Sequence, residues 1–257
     1  MKMIFMGRKK YAAEMLEWTI KQGIEVKFVC TDSQFANSPT MHVAVKNGIP
    51  ILSMEEAEEY VKSNTNDIDI VVSYLYWRKI KKPLIEIPKY GCINFHPAIL
   101  PDWRGTAGYN IAILKKLSEW GATAHYVDEN IDTGAIIKVY RFNFDWRIET
   151  AYSLEEKTQK IQMELYKSVI LDVLEKGKLD CDIQNINDGV YISKQEMLDM
   201  MKIDLKKIDE VDLDLLIRAF WFPPYDGAGF SLNGKFYTII NRDILKSLQL
   251  PDTTALV

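Results

Sequence analysis

MKMIFMGRKKYAAEMLEWTIKQGIEVKFVC, residues 1–30, decides how the chain folds. Residues 3–6 form a short apolar run closed by Gly7, the mark of a buried strand. Ala12, Met15, Leu16, Thr19 and Ile20 then recur at helical spacing, and Gly23 stops that helix as its C′ residue. Residues 26–30 are a second apolar run. Strand, helix and strand in this order predict parallel pairing.

The rhythm continues outward. Residues 49–52, after a Gly48 turn, read as a third strand, and residues 54–61 as an acidic helix. Residues 68–74 are dense in β-branched side chains and predict the central strand; residues 92–95 predict another. The fold class is therefore α/β, a mostly parallel sheet with helices on both faces. After about Gly105 the pattern changes. Residues 109–117 read as helix, and 122–127 and 135–142 as strands. Leu154, Ile161, Leu165, Val169 and Val173 make one stripe of a long helix that stops before Gly177. Residues 203–220 suggest a further helix, followed by Trp221-Phe222-Pro223-Pro224-Tyr225. Residues 230–232 and 235–239, joined by Asn233-Gly234, are a β-hairpin signal. We place a boundary near 185: residues 1–185 form the main domain. Residues 186–257 form a small C-terminal helix and β-hairpin appendage, which needs the main domain to pack against.

Composition bounds the function. With 257 residues, 47% of them hydrophobic, the chain can bury a core without disulfides or metals. The net charge of −4 argues against a general binder of nucleic acid or anionic membrane. Cys30, Cys92 and Cys181 are far apart, lack CxxC spacing and read as reduced core thiols of a cytoplasmic protein. No targeting segment is visible, and no apolar run approaches the roughly 20 residues that span a bilayer.

The chemistry concentrates in Asn94-x-His96 and Asp132. In a strand, Asn94 and His96 share a face. They end a predicted parallel strand, where such folds bind ligands. Residues 100–105 (LPDWRG) follow as a rigid turn-rich loop, and residues 128–134 (DENIDTG) as a second polar loop. A carboxamide can donate to a developing oxyanion. An imidazole can hydrogen-bond that oxygen or shuttle a proton. A carboxylate can orient the imidazole and set its charge. On these residues alone, a satisfied turn or core feature is the commoner meaning of Asn-x-His, and a solvated turn that of Asp132. His42 and His125 have no partner at metal-ligand spacing and read as structural, and no metal is expected. Gly7-Arg8-Lys9 is not GxGxxG, and neither GxxxxGK[ST] nor GxSxG occurs.

Residues 91–105 (GCINFHPAILPDWRG) and 125–137 (HYVDENIDTGAII) together resemble the 10-formyltetrahydrofolate-dependent formyltransferases. That superfamily pairs an N-x-H-P…LP…G block with a D-x-x-x-D-x-G block. Both are intact here, at Asn94, His96, Pro97, Leu100, Pro101 and Gly105, and at Asp128, Asp132 and Gly134. Ala98 stands where the family often has serine. The resemblance covers roughly residues 1–180. It implies a Rossmann-like formyltransferase core with Asn94, His96 and Asp132 as the catalytic triad. An amine would attack the formyl carbon of 10-formyltetrahydrofolate. Asn94 and protonated His96 would stabilise the tetrahedral oxyanion, and Asp132 would orient His96 and assist proton transfer. The pterin is expected between the loop after residues 68–74 and the loop 128–132. Leu75, Asp128 and Asp132 are the expected folate contacts.

The last third chooses among members. Glycinamide ribonucleotide transformylases would end near the long helix, and formyltetrahydrofolate hydrolases carry a regulatory domain ahead of the core. Methionyl-tRNA formyltransferases need a larger basic C-terminal domain. Residues 191–257 hold eight basic and ten acidic residues, a net −2, which disfavours nucleic acid. Residues 217–225 (IRAFWFPPY) and the hairpin resemble the tail of bacterial sugar N-formyltransferases, which act on nucleotide-linked amino-dideoxy sugars for surface polysaccharides such as O-antigen. Trp221, Phe222 and Tyr225 are candidate base contacts, since aromatic faces stack on bases. Lys9 and Arg78 are candidate pyrophosphate contacts. The competing meanings are a packed aromatic corner and solvated surface cations. The hairpin could instead build a subunit interface, and a homodimer is expected. The expected acceptor is a dTDP-4-amino-4,6-dideoxyhexose. The alternatives are GDP-perosamine or a 3-amino sugar, a methionyl-tRNA, or a non-catalytic folate- or nucleotide-binding role.

Overall fold

The computed structural model describes residues 1–248 except 34, 107 and 186. Along the chain run β1 (Lys2–Gly7), α1 (Lys9–Lys21), β2 (Glu25–Cys30), α2 (Pro39–Lys46), α3 (Met54–Ser63), β3 (Ile70–Tyr74), α4 (Lys82–Glu86) and β4 (Cys92–His96). Next come β5 (Trp103–Gly105), α5 (Gly108–Leu114), β6 (Glu119–Tyr126), β7 (Ile136–Asn143) and α6 (Ala151–Lys176). β8 (Val190–Ile192), α7 (Lys194–Met200), a 3₁₀ turn (Leu205–Glu210), α8 (Leu213–Phe220), β9 (Gly229–Leu232), β10 (Lys235–Thr238) and α9 (Arg242–Ser247) complete them.

Six strands form one sheet in the order β2-β1-β3-β4-β6-β7. β1 pairs in parallel with β2 and β3, and β3 with β4; β6 runs antiparallel to β4. The α/β class and the mostly parallel sheet are as expected. Alternation along the strands sends side chains to two cores. Met3, Phe5, Val72, Ile93 and Phe95 pack with Leu16 of α1 and Leu165, Tyr166 and Val169 of α6. Ile4, Met6, Val71 and Cys92 pack with Met54, Ala57 and Val61 of α3 and Leu84 of α4. Each fully buried Val, Leu, Ile, Phe or Met among them contributes roughly 1.5–3 kcal/mol by leaving water, which is why the central strands are apolar on both faces.

Caps set the helix starts. Ser53 and Glu56 form a reciprocal capping box at α3, and Ser193 and Glu196 do the same at α7. Ser38 caps α2 with Pro39 in the first turn.

Three expectations are corrected. Residues 49–52 are not a strand: one parallel bridge, Val29 to Ile51, is all that forms. Pro50 has no N–H to give a ladder, and Ser53 starts α3 at once. Residues 203–220 are not one helix. Asp204 caps the 3₁₀ turn and Asp212 caps α8, so two carboxylates restart the chain. Cys30 and Cys92 are buried, but Cys181 is exposed.

Backbone contacts divide the chain into two units. The first holds residues 1–105, 119–142 and 157–191, and with them the sheet. The second holds 106–118, 143–156 and 192–257. It therefore draws on two earlier segments rather than starting at a single cut near 185. Within it, α5 packs on α8, and the Asn110 amide donates to the Ala219 carbonyl at 2.7 Å. β9 and β10 pair antiparallel through a turn in which Asn233 and Gly234 both have positive φ, at 51° and 75°. That is the type I′ geometry for which Asn-Gly is suited.

Candidate active site

β4 carries the first two functional side chains. Cys92 on one face enters the α3 core, and two and four residues on, the same face presents Asn94 and His96. β6 supplies a third group. The antiparallel register places His125 opposite Asn94 and Thr123 opposite His96. Thr123 donates to the Ala98 carbonyl at 2.7 Å and accepts from the Leu100 N–H at 3.0 Å, which fixes the chain after His96-Pro97. The loop between β6 and β7 then brings in Asp132, with φ at 57°.

These groups converge. Asp132 Oδ2 lies 3.6 Å from His96 Nδ1, and Oδ1 lies 3.7 Å from His125 Nε2. The Gly105 N–H donates to Asp132 Oδ2 at 2.9 Å. His96 Nε2 donates to the Trp103 carbonyl at 2.9 Å, and His125 Nδ1 to the Tyr126 carbonyl at 2.8 Å. A carbonyl only accepts, so the hydrogens on those two nitrogens are determined. In a neutral His125 ring, Nε2 is therefore an acceptor, and the Asn94 amide donates to it at 3.1 Å. One N–H of Asn94 is held this way; the other is left to donate to a ligand.

Electrostatics fits this geometry. Burial would push the Asp132 carboxyl up. With their rings protonated, the neighbouring His96 and His125 together with the Gly105 N–H outweigh burial and hold it well below the usual carboxylate range. Asp132 is thus a carboxylate throughout the neutral range.

The structure thus brings Asn94, His96 and Asp132 together. It adds His125, which the sequence reading took as structural. The signal was present: Thr123 and His125 alternate with Ala122 and Ala124, so β6 has a polar face.

The other predicted contacts lie as follows. Leu75 ends β3 with φ at 58°, and its carbonyl accepts from Arg8 Nε at 3.2 Å. The Asp128 carboxylate is taken up within its own loop by Thr133 Oγ1 and the Asn130 N–H. Lys9 opens α1, with φ at 68°, and its carbonyl accepts from Thr40. Arg78 pairs with Glu55, at 2.5 Å and 3.2 Å. Trp221, Phe222 and Tyr225 belong to the second unit, where Phe222 packs among Tyr109, Tyr152 and Tyr225.

A cavity of about 320 Å³ lies beside the loop that carries Asp132. Lys79, Arg104, Asn130, Ile131, Thr133 and Tyr191 line it. Two of these flank Asp132 in sequence, and Lys79 follows β3. Among the described residues, no group of three or more His, Cys, Asp or Glu side chains could hold a metal. No helix among them is long and apolar enough to cross a membrane.

The family described as "Formyl transferase" matches residues 1–170. A methionyl-tRNA formyltransferase of Clostridioides difficile (strain 630) is 32% identical over 202 residues, covering 74% of this chain and 65% of that protein. A GDP-perosamine N-formyltransferase of Brucella melitensis biotype 1 is 32% identical over 193 residues, covering 75% of this chain and 72% of that protein. Among solved structures, an N-formyltransferase from Helicobacter canadensis, in complex with folinic acid and dTDP-3-aminofucose, is similar at TM-score 0.72 and 27% identity. The match covers 91% of this chain and 85% of that one. A 4-N formyltransferase from Francisella tularensis is similar at TM-score 0.74 and 25% identity, over 93% of this chain and 97% of that one.

Proposed function

The chain belongs to the formyl transferase family, and from that premise we propose that it transfers the formyl group of 10-formyltetrahydrofolate to the amine of a nucleotide-linked amino-dideoxyhexose. The observation that carries this reading is the convergence of Asn94, His96 and Asp132, with an Asn94 N–H left to donate.

In this mechanism the amine nitrogen bonds to the formyl carbon, and the bond from that carbon to N10 breaks. Negative charge grows on the formyl oxygen, and the second Asn94 N–H donates to it. The amine must lose a proton. His96 Nε2 is engaged by Trp103, so Nδ1 is the ring nitrogen that can accept. The imidazolium so formed lies beside the Asp132 carboxylate. A carboxylate held so far below its usual range is a weak base, so Asp132 acts by charge and orientation. Atoms balance when that proton goes on to N10 of the departing tetrahydrofolate.

The open depression beside the Asp132 loop, with Ile131 and Tyr191 as partly exposed apolar groups and Asn130 and Thr133 as polar ones, is the candidate pterin site. Leu75 and Asp128 remain the candidate backbone contacts of the folate. Lys79 and Arg104 are cations at the same cavity.

For the acceptor, two observations support a sugar nucleotide. Residues 191–257 carry a net charge of −2, the wrong sign for holding RNA phosphates. The Francisella 4-N formyltransferase is matched over nearly its whole length. We take a dTDP-4-amino-4,6-dideoxyhexose as the acceptor, in surface polysaccharide synthesis, with Trp221, Phe222, Tyr225, Lys9 and Arg78 as candidate contacts. Similarity to methionyl-tRNA formyltransferases makes initiator tRNA the second reading.

The test is mass spectrometry after incubation with 10-formyltetrahydrofolate and a panel of dTDP-, GDP- and UDP-linked 3-amino and 4-amino deoxysugars. One sugar gaining a formyl group supports the proposal and identifies base and amine position. Formylation of initiator methionyl-tRNA with no sugar product overturns it.

A further inference from the structure

The segment after α6 returns along the loop that carries Asp132. Asp182 and Ile136 exchange two backbone hydrogen bonds, both of 2.8 Å. Two residues on, the buried Gln184 donates from its amide nitrogen to the Gly134 carbonyl at 2.6 Å and to the Asp132 carbonyl at 3.2 Å. One carboxamide thus spans the carbonyls on both sides of Thr133. Its Oε1 is buried and accepts from no donor among the described residues. The amide is therefore held by its N–H half alone. A flipped amide would set its oxygen against two carbonyl oxygens.

The loop needs such a hold. Asp132 is a non-glycine residue in the left-handed region, a conformation that persists where surroundings impose it. On one side, a Cβ at Gly134 would lie 1.8 Å from the Tyr126 carbonyl oxygen, so Gly134 is pressed against the end of β6. Within the loop, Thr133 Oγ1 is tied to Asp128 at 2.7 Å. Gln184 binds the loop from a third direction, through the two carbonyls that bracket the turn.

We propose that Gln184 is a positioning residue for the catalytic carboxylate. It fixes the backbone at Asp132 so that Oδ2 meets the Gly105 N–H and stands beside His96 Nδ1. Gln184 touches neither substrate nor reacting atoms and acts through Asp132. The proposal rests on the formyl-transfer reading for its kinetic consequence, but not for its structural one.

Two substitutions test it. Gln184→Met keeps length and removes both amide hydrogens. Its kcat should fall about 100-fold, the scale of an ångström-sized misplacement in a catalytic group. KM for the sugar nucleotide should change little. Gln184→Glu can donate to a carbonyl only when its carboxyl is protonated. Its kcat, relative to wild type, should therefore recover as pH falls, and that of Q184M should not. A space-filling role would lower the melting temperature of both variants without such a pH dependence. Should Q184M fail to fold, the pH profile of Q184E decides. A folded Q184M with near-wild-type kcat, or a Q184E without acid recovery, overturns the proposal.

A readout independent of turnover separates this failure from failure of the function. The chain has three histidines, so His96 and His125 are readily assigned by NMR. Their imidazole resonances should shift in Q184M, because the carboxylate beside them moves. Unshifted resonances overturn the positioning role, even in a protein that formylates nothing. Shifted resonances with no product from wild type leave this proposal standing and remove the proposed function.

Discussion

Asn94 and His125 face each other across the antiparallel pair β4–β6, with Asn94 Nδ2 at 3.1 Å from His125 Nε2. The relationship orders the site. The Tyr126 carbonyl takes the Nδ1 hydrogen of His125, which makes Nε2 the acceptor that aligns the carboxamide. A backbone group on β6 thereby sets the direction of an N–H on β4. His125 is only 2% exposed, so solvent does not take its place opposite Asn94.

Replacing His125 by Leu should lower kcat by roughly 10-fold to 100-fold, because the Asn94 amide then loses its alignment though not its hydrogens. Folinic acid affinity should be nearly unchanged. Steady-state formyl transfer and calorimetry on the same preparation check both. A His125→Leu enzyme with wild-type kcat would show that Asn94 is oriented by something else.

The Asp132 carboxyl has its pKa depressed in the folded state. A depressed carboxyl adds stability that is complete above its unfolded value, about 3.9, and is lost as pH falls through the folded value. The side-chain carboxyl carbon of Asp132 should therefore keep its ionised NMR shift down through about pH 4. The acid limb of kcat/KM should belong to another group. A titration midpoint for this carbon at or above the unfolded value would contradict the electrostatic account of the site.

Much of this was legible in local sequence, and the failures have physical causes. β1, α1 and β2 followed from runs of one period bounded by Gly7 and Gly23, where local propensity and tertiary packing agree. Asn94 and His96 could be placed on one face by strand geometry alone. His125 has no partner at metal-ligand spacing, and its role shows only in strand register. Once residues 92–95 and 122–127 are paired antiparallel, its position opposite Asn94 follows. Residues 203–220 kept an apolar spacing while Asp204 and Asp212 broke the backbone path. Gln184 had no local signal, because its meaning lies in two carbonyls 50 and 52 residues away.

The three cysteines should separate cleanly by reactivity. Burial pushes the Cys30 thiol up to about 12 and raises that of Cys92 as well, while Cys181 is exposed. Burial cuts the thiolate fraction of Cys30 and Cys92, and access favours Cys181. Iodoacetamide on the native protein should label Cys181, with Cys30 and Cys92 labelled only in denaturant. Mass mapping of the labelled peptides checks it, and native labelling of Cys92 would mean that the strand carrying Asn94 and His96 opens to solvent.

Trp221 and Phe222 are neighbours with different surroundings, which permits a test of the aromatic tail. The Phe222 ring lies 11° from the Tyr109 plane at 6.4 Å, edge-on to Tyr152 at 6.1 Å and 5.9 Å from Tyr225. The backbone of Trp221 is fixed, its carbonyl accepting from the Tyr152 N–H at 3.0 Å, and its indole is half-buried. Phe222→Ala should therefore lower stability by about 1–3 kcal/mol, less than for a fully buried Phe. Trp221→Ala should lower stability by a comparable amount, since Trp221 is as half-buried as Phe222. If the indole stacks on the nucleobase, it should also weaken the sugar nucleotide by roughly 10-fold or more while sparing folinic acid. Calorimetric titration of both ligands into both variants distinguishes the cases. Equal loss of sugar nucleotide and folinic acid in W221A would make Trp221 a packing residue like Phe222, and the base would then have to be sought elsewhere.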